Sequence, residues 1–188
     1  MIVRDGIGFI RTARRVRAEL GQRHRYAHVL RVARMAARLA RAHELDSARA
    51  MTAGLLHDLA RLYSGRELIA ACEARGMTID AFERETPIVL HARLGAELAC
   101  ERYGVDDPAI LSAIRKHTVG AAQMSELDKV VYLADGLEPG RDFPERATLA
   151  RKALEDLDVA LLAAMRSSAA HLRERGLSVA PQTLAAIG

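Results

Sequence analysis

Apolar residues recur at intervals of three and four positions along nearly the whole chain, and no stretch alternates with period two over five residues. This spacing is typical of helices that bury one face, so it predicts an all-α protein. Capping residues, prolines and glycines mark where each helix begins and ends. The predicted helices cover about residues 4–20, 23–43, 46–62, 66–75, 86–103, 107–117 and 125–135, with one or two long helices over 144–176.

Nothing along the chain separates it into independent units. The sequence has no linker rich in proline, glycine or serine, no repeat and no low-complexity tract, and its 188 residues suit one domain of ordinary size. We therefore expect a single helical bundle over residues 1–188. Residues 177–188 are predicted to form a short tail with one turn of helix.

The composition excludes a disordered or membrane protein. Half of the residues are hydrophobic and 28% are charged, and no apolar run approaches the roughly 20 residues that a spanning helix needs. The first residues lack the apolar core of a secretory signal. These features predict a cytoplasmic protein with no membrane partner.

Charge and cysteine content narrow the choice of partners and metal ligands. The net charge of +4 suits anionic partners, but no block of like charges forms and aromatic residues are only 4% of the chain, which argues against nucleic acid as a partner. Cys72 and Cys100 form no Cys-x-x-Cys pair, which excludes a thiolate zinc site. A metal ion would need histidine and carboxylate ligands.

Several histidines and aspartates occupy apolar faces of the predicted helices. His28, for example, shares a stripe with Val32, Ala36 and Leu39, whereas His43 and His171 lie near helix ends and are expected in solvent. The inward-facing polar residues are His28, His57, Asp58, His91, His117 and Asp135. One buried histidine is more often structural than a ligand, but burying all six only for structure would carry a heavy desolvation cost. The set therefore favours a metal centre of iron, manganese, cobalt, nickel or zinc.

These residues resemble the pattern of the HD-domain superfamily of metal-dependent phosphohydrolases, His…His-Asp…Asp on a helical bundle. His28, His57, Asp58 and Asp135 match it, and His91 and His117 are similar to the extra ligands of a dinuclear branch. The sequence motifs around these residues resemble those of the YqeK-like family of bacterial symmetrical bis(5'-nucleosyl)-tetraphosphatases over about residues 20–180. These motifs are Arg25-x-x-His28, Ala53-Gly54-Leu55-Leu56-His57-Asp58, Pro87-x-x-x-His91, Ala113-Ile114-x-x-His117-Thr118-x-Gly120 and Ala134-Asp135 followed by Glu138-Pro139-x-Arg141.

The resemblance implies an HD-type bundle with two metal ions, iron or else cobalt or manganese. Asp58 would bridge the ions, of which one would bind His28, His57 and Asp135 and the other His91 and His117. The implied substrate is diadenosine tetraphosphate, cut at the middle of its phosphate chain into two ADP. Two ions about 3.5–4 Å apart can share a water and present it to phosphorus as hydroxide.

No glycine-rich phosphate loop is present, so cationic side chains near the ligands are the candidates for substrate contacts. These are Arg25, Arg61, Lys116 and Arg141, with Arg61 also a catalytic candidate beside Asp58. The hydroxyl of Thr118 either donates to a phosphate oxygen or bonds back to its own helix. Arg61 stands where the family often has lysine, and Lys116 where an aromatic residue is more usual.

Other functions remain open from the sequence. One is another HD-type enzyme, either a different nucleotide phosphohydrolase or a di-iron oxygenase. A second is an RNA- or ribosome-associated helical module without catalysis, which the basic pI of about 9.4 suggests and the scarcity of clustered cations and aromatics opposes. An exposed apolar helix face could also form a homodimer, although no residue marks which face.

Overall fold

Eleven α-helices and one 3-10 turn make up the computed structural model, which describes residues 6–188 and the side chains from residue 8 onward. No strand occurs in that range, so the predicted all-α class is confirmed. The helices are α1 (Gly6–Leu20), α2 (Arg23–Ala42), α3 (Ser47–Leu56), α4 (Gly65–Glu73), α5 (Ala81–Glu85), α6 (Leu90–Tyr103), α7 (Pro108–Lys116), α8 (Glu126–Leu137), α9 (Arg146–Glu155), α10 (Leu157–Glu174) and α11 (Pro181–Ile187), with the 3-10 turn Pro87–Val89 before α6.

Local capping explains most of the helix boundaries. Asp46 accepts hydrogen bonds from the first backbone N–H groups of α3, and Ser125 forms with Asp128 the predicted capping box of α8. Helix α6 ends at Tyr103 and is capped by Gly104, whose φ of 65° lies in the left-handed region that glycine adopts at little cost. These signals lie within a few residues of each boundary, which is why the sequence predicts them well.

Helix α2 lies at the centre of the bundle and packs along α3. Its Val29 and Ala33 belong to a hydrophobic cluster with residues of α1, α3, α4, α6 and α7. Its Val32 and Leu39 belong to a second cluster with α8, α9 and α10. Because α2 and α3 contribute to both clusters, the residues between them lie where the two halves of the core meet.

Three segments differ from the prediction. Helix α3 ends at Leu56 rather than near residue 62, because the His57 ring binds the Gly54 carbonyl and the chain continues in tight turns. Helix α5 was not predicted, although Asp80 and Glu83 form a capping box at its start. The tail contains the seven-residue helix α11 rather than one turn. The first residues of the predicted first helix lie outside the described range.

None of the helices in the described range is long and apolar enough to cross a bilayer.

Candidate metal centre

The six candidate ligands come from five parts of the bundle and meet at one place. His28 lies in α2, His91 in the first turn of α6 and Asp135 in α8, whereas His117 follows α7 directly. His57 and Asp58 occupy the tight turn after α3. Their ligand atoms form three overlapping groups, each within 4.8 Å: His28, His57 and Asp58; His57, His117 and Asp135; and Asp58, His91 and His117. The overlap does not divide the ligands between two ions, so that division stays a prediction.

Three of the four imidazoles are oriented by the backbone. His57 Nδ1 lies 2.7 Å from the Gly54 carbonyl oxygen and His117 Nδ1 lies 2.7 Å from that of Ile114. His91 Nδ1 binds the carbonyl three residues before it in the same way. A carbonyl oxygen only accepts, so each Nδ1 carries the proton and each Nε2 presents a lone pair to the site. This is the form in which imidazole binds a metal ion.

The Nε2 atoms of His57, His91 and His117 have fewer protein donors than lone pairs within the described part of the chain, and this tests whether the site fits a cation. His57 Nε2 is buried and has no hydrogen-bond partner among the described residues. The Nε2 atoms of His91 and His117 lie 3.1 Å apart, although both carry lone pairs. The Thr118 hydroxyl lies 3.2 and 3.1 Å from them and can donate only one proton. A cation would satisfy all of these nitrogens, so the residues fit a metal ion.

The two carboxylates lie between the imidazoles. Asp58 Oδ2 is 3.9 Å from the Nε2 atoms of both His28 and His57, and its Oδ1 is 3.4 Å from His91 Nε2. The two oxygens of Asp58 therefore face different histidines. Asp135 Oδ1 lies 3.1 Å from His28 Nε2 and 3.8 Å from His57 Nε2. With imidazole and carboxylate donors only, the set suits iron, manganese, cobalt or zinc.

The pKa shifts favour the ligand forms of Asp58 and His117 and oppose that of His28. Burial by itself would raise the pKa of Asp58, but His57, His91 and His117 hold it well below its usual range. Burial, together with His57 and His91, lowers the pKa of His117 to about 3, so this imidazole is neutral at neutral pH. Burial lowers the pKa of His28, but hydrogen bonds with Asp135 and Glu138 outweigh burial and raise it. A metal ion binding at His28 must therefore displace a proton.

Residues 25–140, which contain all six candidate ligands, match the model of the HD domain family. The chain belongs to the HD-domain family. The resemblance inferred from the sequence is thereby confirmed.

Known relatives cover almost the whole of this HD-domain chain. It is 32% identical to a protein of Halalkalibacterium halodurans over 86% of each chain, and 34% identical to a protein of Bacillus subtilis over 85% of this chain and 86% of that one. Both relatives are named symmetrical bis(5'-nucleosyl)-tetraphosphatase. A crystal structure of a predicted HD superfamily hydrolase involved in NAD metabolism, from Clostridium acetobutylicum, covers 95% of this chain and 94% of its own, with 34% identity and a TM-score of 0.91.

Two of the predicted substrate contacts, Arg61 and Arg25, lie three residues from a candidate ligand of this HD domain and have no carboxylate partner within the described residues. Arg61 follows Asp58 by one turn, since its backbone N–H donates to the Asp58 carbonyl at 3.0 Å. Its side chain is half-buried and forms no hydrogen bond or ion pair within residues 6–188. Arg25 lies in α2 three residues before His28, and its side chain donates to Gln22 at 3.2 Å and to no other described residue. Both guanidinium groups are therefore available to an anion.

The other two cations already have carboxylate partners. Lys116 Nζ lies 2.7 Å from Oδ2 of Asp128, which is fully buried, and Arg141 Nη2 lies 2.6 Å from Asp135 Oδ1. Thr118, by contrast, contacts the His91 and His117 rings directly. The structure thus places Thr118 beside two of the candidate ligands. The side chain of Lys116 instead binds a carboxylate of α8.

Sequence reasoning missed the partners of two histidines. Glu138 is 1% exposed, lies 3.1 Å from His28 Nδ1 and also binds Arg31. Glu138 belongs to the Glu138-Pro139-x-Arg141 motif one turn after Asp135, but nothing in the sequence pairs its carboxylate with His28. His43 was expected in solvent, but it is half-buried and its Nε2 lies 2.7 Å from the Ala153 carbonyl oxygen.

Proposed function

We propose that this chain is a metal-dependent hydrolase that cleaves diadenosine tetraphosphate and related dinucleoside polyphosphates symmetrically to two ADP. The observation that carries the proposal is the convergence of four imidazole Nε2 atoms and two carboxylates in a chain that aligns over 85% or more of its length with two symmetrical tetraphosphatases. The same names make an oxygenase or an RNA-associated module less favoured.

Two ions are proposed, with iron as the first choice and cobalt or manganese as alternatives. When bound, they would polarise a phosphoryl oxygen and lower the pKa of a water near it. Asp58 is proposed to bridge, because its Oδ2 faces His28 and His57 while its Oδ1 faces His91. The buried, hydrogen-bonded rings of His57 and His117 would hold their Nε2 atoms in place without further reorganisation.

The chain's own donors are proposed to bind the polyphosphate. Arg61 and Arg25 have guanidinium groups without a carboxylate partner in the described range, and guanidinium binds phosphate oxygens in a bidentate manner. Thr118 would donate its hydroxyl proton to a phosphate oxygen once its histidine neighbours bind metal. Lys116 and Arg141 stay candidate contacts that must first leave Asp128 and Asp135.

Three further expectations stay predictions: one HD-type domain over residues 1–188 with its core at about 20–180, location in the cytoplasm, and a homodimer.

The experiment that tests the function is product analysis. Metal-reconstituted protein is incubated anaerobically with diadenosine tetraphosphate, and the products are separated by chromatography. The double variant His57→Ala, Asp58→Ala should abolish cleavage. The matched double variant His171→Ala, Asp158→Ala should retain it, because His171 is exposed and the Asp158 side chain is 75% exposed.

Three outcomes are distinguishable. ADP alone, formed by the wild type and the matched control but not by the site variant, supports symmetrical hydrolysis. ATP together with AMP would keep the hydrolase and refute central cleavage. Absence of cleavage by protein shown to contain metal would refute the proposed activity and favour the oxygenase or binding alternatives.

A further inference from the structure

His28 differs from the other three candidate histidines in what orients its ring. The rings of His57, His91 and His117 each bind a carbonyl three residues earlier, so the backbone of their own segment orients them. The ring of His28 instead binds the side chain of Glu138, at 3.1 Å and 110 positions away in the sequence. The orientation of His28 thus depends on a tertiary contact that one side-chain substitution can remove.

Glu138 is held rigidly by four hydrogen-bond donors. Its Oε1 accepts from His28 Nδ1 at 3.1 Å and from Arg31 Nη2 at 3.0 Å. Its Oε2 accepts from Arg31 Nε and from the backbone N–H of Gly140 at 2.5 Å. An ionised carboxylate has about four lone-pair sites, and all four are used here. Since Glu138 is 1% exposed, little competition from water is left to loosen it.

The turn after α8 is shaped to leave room for Arg31. A Cβ atom added at Gly140 would lie 2.3 Å from Arg31 Nη2 and 2.6 Å from Arg31 Cζ, distances that real Cβ atoms essentially never show. A side chain at position 140 would require the end of the Arg31 side chain to shift from its place beside this turn. Arg31 in turn occupies one side of the Glu138 carboxylate, so that Oε1 keeps a fixed direction toward His28.

We propose that Glu138 is a positioning residue that orients His28 as a metal ligand, and that Arg31 braces Glu138 through two hydrogen bonds. With Nδ1 held by Glu138, the Nε2 atom of His28 faces Asp135 and Asp58, at 3.1 and 3.9 Å from their carboxylate oxygens. Carboxylate partners of this kind fix the ring and increase the basicity of a ligating histidine. The inference rests on the proposed metal centre, and it concerns residues to which no role in that centre has been given.

The test compares Glu138→Gln with a matched buried carboxylate. Glu83 is 6% exposed and also accepts from one arginine, Arg93, and from a backbone N–H, but it contacts none of the six candidate ligands. Binding of Mn²⁺ to the metal-free proteins is measured by calorimetry. We expect Glu138→Gln to weaken Mn²⁺ binding by about 10- to 100-fold and Glu83→Gln to change it by less than about twofold. Equal Mn²⁺ affinity of Glu138→Gln and the wild type would overturn the proposal.

A second readout needs no metal. In the metal-free wild type, the Nδ1 proton of His28 should be protected from exchange and visible in an imidazole ¹⁵N NMR spectrum. It should disappear in Glu138→Leu, which offers no acceptor to this proton, while the corresponding protons of His57, His91 and His117 remain. Retention of the His28 signal would refute the positioning role. If the wild type binds no Mn²⁺, the proposed metal centre fails, but this spectrum still decides whether Glu138 holds the ring.

Arg31→Met provides the test if Glu138→Gln does not fold, because the Arg31 side chain is 35% exposed whereas the Glu138 side chain is buried. We expect a smaller but measurable loss of Mn²⁺ affinity, because Glu138 would keep only the His28 and Gly140 donors. If Arg31→Met bound Mn²⁺ with wild-type affinity, that result would contradict the proposed role of Arg31 in holding Glu138.

Discussion

Replacing Gly54 by alanine tests whether the close packing of α2 and α3 sets the spacing of the metal centre. Gly54 lies in α3, and its own carbonyl orients His57. An added Cβ would lie 2.9 Å from Ala33 Cα and 3.1 Å from Ala33 N, both backbone atoms of α2. The first distance is about half an ångström short of ordinary van der Waals contact. Backbone atoms cannot rotate away, so the two helices must separate.

The expected cost combines two opposing effects. Overpacking a core costs about 1–3 kcal/mol, and replacing glycine within a helix returns at most about 1 kcal/mol of helix propensity. The free energy of unfolding should therefore fall by about 1–2 kcal/mol. For a chain of this length that corresponds to a fall in Tm of roughly 2–8 °C. Because His28 lies on α2 and His57 follows α3, Mn²⁺ binding should weaken as well.

Gly136→Ala is the matched control, since Gly136 is an exposed residue of α8 with nothing within 4 Å of an added Cβ. It should raise the free energy of unfolding by about 0.5–1 kcal/mol through helix propensity alone. Thermal unfolding of the metal-free proteins is followed by circular dichroism. If Gly54→Ala is as stable as the wild type while Gly136→Ala gains stability, then the close approach of α2 and α3 does not limit the packing, and the reasoning is refuted.

Three further outcomes are expected. Chelation with EDTA should lower the Tm of the metal-loaded protein. Mn²⁺ at 100 times its Kd should add about 2.7 kcal/mol to the free energy of unfolding of the metal-free protein. A Tm that changes with neither treatment would contradict a metal centre. Tyr103→Phe should reduce stability by about 1–2 kcal/mol in urea unfolding, because the hydroxyl donates to Glu19 at 2.7 Å, and it should leave Mn²⁺ binding unchanged. The metal-free protein should be most stable near pH 6.5. Below that pH the unfolded chain protonates His117 at its ordinary pKa, whereas the folded chain does so only at about 3, so stability falls with pH. Above pH 6.5, the pH passes through the pKa of His28 in the folded chain, which is raised above its ordinary value. His28 then loses its proton, and the stability that this proton contributes is lost with it. Urea midpoints at pH 5, 6.5 and 8 measure the loss of stability on each side of pH 6.5. A midpoint that rises steadily to pH 8 would contradict the expected contribution of His28.

The sequence by itself predicted the helical class, most helix boundaries and the six inward-facing polar residues. These features depend on short-range information: the period of apolar positions, capping residues within one turn, and the face of a helix on which a side chain lies. His117 illustrates this, since its spacing from Ile110 and Ile114 predicts burial, and the structure leaves it 3% exposed.

Tertiary structure decided which of these faces meet and which charges pair. Periodicity shows that His28 points inward, but only the packed bundle shows that Glu138, 110 positions later, binds its ring. The same holds for Lys116. Its charge and its place beside His117 predict a phosphate contact, but in the fold its side chain forms an ion pair with Asp128. The early end of α3 arises from a side chain that competes for a backbone carbonyl. A local pattern specifies the direction of a side chain within its helix, whereas its partner depends on how separate helices pack, and that information is distributed over the whole chain.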